Sequence, residues 1–220
     1  SEKLSDRLKE LGFEIDRYQT ATPPRIDKRS IDFSNVEELY GEENPRYFSY
    51  YTDKEYNNRM PTWLTFTTPE TIEVGKKMLE YSPIVTGVVS TKGPRHCPSL
   101  DRKVLNFPEK TDHQIFLEQE SVESNEIYVN GFTTAMPPFA QDAMLKTIKG
   151  LENAKIVRYG YAIEYDFIPA YQLQLTLETK LVEGLYMAGT INGTSGYEEA
   201  ACQGFIAGVN AAKKIKNEKA

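Results

Sequence analysis

The segment from Gly184 to Ala212 restricts the fold more than any other, because it reads as an extended run, a glycine-rich turn and a helix. Leu185 to Ala188 is a short apolar run with little polar alternation, the pattern of a strand covered on both faces. Gly189, Gly193 and Gly196 then permit backbone angles closed to other residues and a close approach to a ligand. Thr194 or Ser195 is placed to cap a helix that starts near Tyr197. Along it Ala200, Ala201, Gly204, Ala207, Gly208 and Ala211 recur at helical spacing, so one face can lie very close to a sheet or a bound molecule.

A helix start presents unpaired N–H groups and a partial positive charge. Glu198 and Glu199 occupy the first turn here and would repel a phosphate dianion. The N1–C2=O edge of a reduced flavin suits the place better, since that edge gains charge when the ring accepts a hydride. The same letters also describe an ordinary buried strand, turn and helix with acids at the helix start.

The chain has 220 residues, 40% hydrophobic and 26% charged, enough for one large domain or two small ones with a true core. The net charge is −6, so a nucleic-acid partner would need a local basic patch. Two cysteines, Cys97 and Cys202, make no disulfide framework, and a cytoplasmic location is expected. No apolar run approaches membrane-spanning length, and the first residues read as an amphipathic helix and not a signal peptide. No metal site is expected: His96 and Cys97 are adjacent, His113 stands alone, and no Cys-x-x-Cys occurs. No Gly-x-Gly-x-x-Gly follows a strand. If the last segment grips a dinucleotide, the part that holds the pyrophosphate is missing, and the chain reads as a fragment.

Taken in order, Leu4, Leu8 and Leu11 predict a helix closed by Gly12, and Phe13, Ile15 and Tyr18 a strand broken by Pro23-Pro24. Ile31 to Phe33 is a short extended piece. Residues 37–58 read as a long irregular loop with Phe48, Tyr50 and Tyr51 tucked inward. Trp63, Thr65 and Thr67 suggest a strand. Thr68-Pro69-Glu70-Thr71 opens a helix that runs to about Tyr81. Val85 to Val89 is strand-like. Ile115–Glu118 and Glu126–Val129 form a hairpin, and 137–151 a helix with Phe139, Met144, Leu145 and Ile148 inward. Ile156–Val157, Tyr161–Tyr165 and Leu173–Leu181 complete the strands, and 217–220 is a frayed tail.

Cys97 lies between two prolines and near Arg95, His96, Arg102 and Lys103. Positive neighbours favour the thiolate and make a nucleophile at neutral pH. A small buried thiol or an inert loop cysteine is the alternative. Arg25, Lys28 and Arg29 form a possible anion-binding corner, or simply a solvated polar loop.

Seven segments together resemble the flavin-dependent tRNA wobble-uridine modification enzymes, the GidA or MnmG family. They are Thr22-Pro23-Pro24-Arg25-Ile26-Asp27, Ile31-Asp32-Phe33-Ser34, Gly93-Pro94-Arg95-His96-Cys97-Pro98-Ser99, His113 to Glu118, Ser124 to Tyr128, Gly160 to Asp166, and Ile191 to Ala201. They occur in the family's order across nearly the whole chain.

The resemblance implies an α/β fold: the second half of a FAD-binding domain of the two-dinucleotide type plus an inserted α/β domain. Residues 1–22 would end the first part of the FAD domain, 23–92 form the insertion, and 93–216 the second part. It implies FAD reduced by NADH, methylene-tetrahydrofolate as carbon donor, tRNA as substrate, an MnmE-type GTPase as partner and a homodimer. The nicotinamide stretch falls on Gly93, Pro94, Arg95, His96, Cys97, Pro98, Ser99, Leu100, Asp101, Arg102, Lys103, Val104, Leu105, Asn106 and Phe107. Contacts to the cofactor fall also on Ser1 and on Gly189, Thr190, Ile191, Asn192 and Gly196. Thr190 stands where the family usually has glutamine. Cys97 matches a family cysteine proposed as nucleophile on uridine C6, and Arg25, Lys28 and Arg29 are placed for RNA phosphates. A non-catalytic RNA- or protein-binding module on the same fold is the alternative.

Overall fold

A computed structural model describes residues 2–43, 45–52, 60–88 and 99–219. Its helices are α1 (Glu2–Glu10), α2 (Pro69–Met78), α3 (Leu100–Asn106), α4 (Pro138–Leu145) and α5 (Tyr197–Ile215). Its strands are β1 (Asp16–Thr22), β2 (Arg25–Asp27), β3 (Glu37–Leu39), β4 (Thr62–Phe66), β5 (Gln114–Gln119), β6 (Glu126–Asn130), β7 (Ile156–Arg158) and β8 (Tyr161–Phe167). Among the described residues, one compact unit holds 2–20 and 164–219, and a second holds those from 21 to 163. Strands β1 and β8 pair with each other.

The second unit is built on a six-stranded antiparallel sheet in the order β3-β4-β5-β6-β2-β7. Side chains alternate along these strands, and Ile26, Trp63, Ile115, Leu117, Ile127 and Val129 all turn to one face. There they meet Ile72 of α2, Leu100 and Val104 of α3, and Met144 and Leu145 of α4, with Ile148 and Leu151 beyond α4. Helix α2 starts as expected: Thr68 accepts from the Thr71 N–H, Thr71 Oγ1 accepts from the Thr68 N–H, and Pro69 fills the first turn. The sheet crosses the boundary expected between residues 92 and 93, because β4 pairs with β5 along Trp63 to Phe66. The apolar residues of β5 and β6 share a core with those of β4, so by packing this unit runs on to residue 163.

The first unit has a smaller core of Leu8, Phe13, Ile168, Leu173 and Met187, with Ile15, Leu177, Val182, Leu185 and Ile191 against it. The Phe13 N–H returns to the Leu8 carbonyl and closes α1. Tyr18 stacks on Phe167, ring centroids 4.1 Å apart.

Several expectations are corrected. Leu173–Leu181 and Leu185–Ala188 are not strands but one folded-back loop with isolated bridges, Leu173 to Thr179 and Glu178 to Tyr186. Leu177 takes a positive φ of 67° there, and Leu175 is fully exposed. Tertiary bonds set that shape: Glu178 accepts from the Gly184 N–H at 2.7 Å and pairs with Lys214 of α5. Val85 to Val88 are turns, with the Val85 and Thr86 N–H groups bonded to Ser82 O, and Val89 lies outside the described residues. Phe33 begins a 3-10 turn and not an extended piece, because the Asp32 carboxylate caps the Ser34 N–H. Phe48, Tyr50 and Tyr51 are exposed and not tucked inward, and residues 37–39 of that supposed loop form β3 on the sheet edge. Phe139 is half exposed, since α4 begins at Pro138 and turns its Ala140, Met144 and Leu145 inward.

Candidate functional site

The site expected in the last segment lies wholly within the first unit. Residues 189–192 form a single 3-10 turn between the folded-back loop and α5. Gly189 has φ 82° and Gly193 φ 81°, angles that an L side chain rarely adopts. At Gly193 a Cβ would lie 3.1 Å from the Phe167 ring, so this glycine admits an aromatic side chain of its own unit. Gly196 has φ −125° and is the N-cap of α5, without a side-chain cap bond; neither Thr194 nor Ser195 takes that role. The carboxylate of Glu199 folds back into the space a side chain at 196 would fill. The mouth of α5 is therefore screened by an acid, which disfavours phosphate as the sequence suggested.

Four bonds fix the turn. The Ile168 N–H donates to Ile191 O at 2.7 Å. Asn192 Nδ2 donates to Met187 O at 2.8 Å and to Gln203 Oε1 at 3.1 Å. The Gly189 N–H donates to the same Gln203 Oε1 at 2.9 Å. Asn192 Oδ1 is left buried with no donor. Thr190 is exposed, while Ile191 packs into the small core. Gln203 was missed in the sequence; its only signal there is a lone amide among the small residues Ala200, Ala201, Gly204 and Ala207. Beyond the turn, Gly204 and Gly208 stand open, with nothing within 4 Å of a Cβ placed there.

The nicotinamide stretch is divided. Ser1 and residues Gly93, Pro94, Arg95, His96, Cys97 and Pro98 lie outside the described residues. Ser99 caps α3 by accepting from the Arg102 N–H. Leu100, Asp101 and Val104 are completely buried. Asp101 accepts from Ser82 Oγ, Thr134 Oγ1 and the Ala135 N–H, and burial pushes its carboxyl above the usual range. Its bonds tie the start of α3 to two loops of the sheet unit. Arg102 and Lys103 are half-buried, and Leu105, Asn106 and Phe107 are exposed. Burial, and Lys110 nearby, hold the Lys103 amine below its ordinary pKa. His113, in the same unit, has a buried Nε2 with no partner.

The three basic residues expected to meet RNA differ in freedom. Arg25 Nε binds Glu120 at 2.6 Å, its Nη1 binds Thr22 Oγ1 at 2.6 Å, and its guanidinium lies 4.6 Å from the Tyr128 ring centre. Lys28 donates to Gln119 at 2.8 Å and lies over Trp63. Arg29 pairs with Asp27 at 2.7 Å but is 73% exposed, and it holds the Asp27 carboxyl down at about 2. An open hollow beside it is lined by Asp27, Asp32, Arg29 and Lys155, two acids against two bases, and not a basic patch. Among the described residues no group of His, Cys, Asp and Glu could hold a metal ion, and no helix is long and apolar enough to cross a membrane.

Known proteins resemble this chain along its whole length. A family model described as glucose inhibited division protein A matches residues 1–219. The tRNA uridine 5-carboxymethylaminomethyl modification enzyme MnmG 1 of Fusobacterium nucleatum is 71% identical over 219 residues, which are 100% of this chain and 35% of that protein. The MnmG of Geobacillus thermodenitrificans is 53% identical over 212 residues, 96% of this chain and 34% of that one. The chain thus spans about a third of the length of these relatives. The crystal structure of Aquifex aeolicus GidA, form I, superposes with a TM-score of 0.88 at 43% identity, covering 98% of this chain and 37% of that one.

Proposed function

The chain belongs to the glucose inhibited division protein A family, and from that premise we propose that it forms part of a flavoprotein that builds a carboxymethylaminomethyl group on C5 of the wobble uridine of tRNA. The observation that carries the reading is the 71% identity, over the whole chain, to a protein named for this modification. The reading includes an MnmE-type GTPase as partner, a homodimer, a cytoplasmic location, NADH as reductant and methylene-tetrahydrofolate as carbon donor.

The residues of the first unit fit a flavin. A buried, unpaired acceptor at Asn192 Oδ1 suits a heterocycle that carries ring N–H donors. The turn beside it has no charged side chain of its own, and the small face of α5 at Gly204 and Gly208 leaves room for a flat ring. Gly189, Thr190, Ile191, Asn192 and Gly196 would hold it, and FAD when bound supplies the hydride chemistry. This chain's part is to orient the ring and to keep water from one side of it. The stretch from Gly93 to Phe107 would take the nicotinamide cofactor, with Cys97 as nucleophile toward uridine C6. Of the basic corner, Arg29 is best exposed for an RNA phosphate.

The test uses a protein that carries this chain together with the remaining two thirds of its relatives' length. It should purify with the absorbance bands of bound FAD. Its Cys97→Ser variant should keep the flavin and lose tRNA modification. A colourless protein that takes up no FAD refutes the reading, and full modification by Cys97→Ser removes that thiol from the chemistry.

A further inference from the structure

We propose that Gln203 is a positioning residue for the flavin: it sets the 189–192 turn and, together with Met187 O, fixes which end of the Asn192 amide is presented to the ring. The inference rests on the reading of that turn as a flavin contact.

The geometry is specific. One atom, Gln203 Oε1, accepts from the Gly189 N–H at 2.9 Å and from Asn192 Nδ2 at 3.1 Å, so it joins the first and last residues of the turn. A bond from α5 to both ends fixes the turn as a rigid body relative to the helix. It also settles the chemistry of the turn. Both amide hydrogens of Asn192 are taken, one by Met187 O and one by Gln203, and the oxygen is what remains unpaired. The turn therefore offers an acceptor, which matches a ring N–H donor and not a second acceptor. Without Gln203 the Asn192 amide keeps only Met187 O as acceptor and loses one of the two bonds that hold its orientation, and the Gly189 N–H loses its acceptor.

Only the oxygen of Gln203 is used in these bonds, and this gives a clean comparison. Gln203→Met keeps the length of the side chain and removes both bonds. Gln203→Glu keeps an acceptor oxygen and adds a negative charge next to the turn. In the full-length protein, FAD affinity is measured by titrating the apoprotein, together with the melting temperature of each apoprotein and the midpoint potential of the bound flavin. Gln203→Met is expected to weaken FAD about tenfold or more, on the order of the loss of one to two hydrogen bonds. Gln203→Glu is expected to bind within about threefold of the parent, since both acceptances persist. Its flavin should be harder to reduce, because reduction adds electron density beside the new charge. If Gln203→Met does not fold, the potential of Gln203→Glu decides the matter. FAD affinity unchanged in Gln203→Met, or an unchanged potential in Gln203→Glu, overturns the inference even where the apoproteins melt lower. A parent protein that binds no FAD at all sinks both this inference and the reading beneath it, whereas a parent that binds it with indifferent variants sinks only the first.

Discussion

His113 shows what a single buried base does to stability. Its ring is 6% exposed, and burial first, then the charges of Lys103 and Lys110, push its pKa below the ordinary value of 6.5. In the unfolded chain the imidazole takes its proton near pH 6.5, while the folded protein resists it to lower pH. The unfolded state then binds more protons, so stability is fully present above about pH 6.5 and is lost as the pH falls through that value. We expect the unfolding free energy to fall between pH 7 and pH 5, and the fall to be smaller in His113→Gln. Urea titrations at pH 7, 6 and 5 read it directly; parallel curves for the two proteins would exclude His113 as the cause. The sequence showed His113 as a lone histidine with no metal partner, but nothing in the letters around it reveals that its Nε2 is enclosed. Gln203 was hidden for a similar reason: its partners lie 11 and 14 residues away across a turn.

At the scale of elements, what was legible is what is local. Thr68-Pro69-Glu70-Thr71 spells a helix start because capping bonds span three residues, and α2 begins there. Replacing Thr68 with alanine removes the cap acceptor and should lower stability by about 1 kcal/mol. Thermal unfolding of the Thr68→Ala protein checks it, and an unchanged midpoint would mean that packing of Ile72 alone holds the helix end. The hairpin of β5 and β6 was likewise legible from its alternation, and Ile115, Leu117, Ile127 and Val129 are all fully buried. Alternation misled at Leu173 to Leu181. The shape of that stretch comes from Glu178, which joins the Gly184 N–H, the Tyr186 hydroxyl and Lys214, 36 residues further on. Such a polar hub overrides the preference of the apolar residues between, and no window of sequence contains it. Phe48, Tyr50 and Tyr51 mislead in the other sense: as aromatic residues they suggest a core, but they are exposed, and the sheet core is built from other residues.

On the scale of the whole molecule, two cores of unequal size divide the chain. The sheet unit buries a complete apolar layer. The helix unit does not: along α5 only Ala207 is buried, while Phe205 is 70% and Ile215 83% exposed. Exposed apolar side chains of that size, set on one helix, favour association. The 220-residue chain alone should therefore bind an environment-sensitive hydrophobic dye and self-associate as its concentration rises. Changing Phe205 and Ile215 to serine should reduce both effects. Sedimentation and dye fluorescence test this together, and a monomeric, dye-free parent chain would show that α5 is covered in solution. The family was legible from seven ordered motifs. Which strands share a sheet depends on pairings such as β4 with β5, whose residues lie about fifty positions apart.

The folded-back carboxylate of Glu199 has an outcome of its own. Residue 196 is extended, a backbone shape open to any amino acid, so its glycine is required for room alone. A single methyl group there moves the Glu199 carboxylate from its place against the start of a nineteen-residue helix. One carbon atom thus decides where that carboxylate rests, while Glu198 and Glu199 both stay in the first turn.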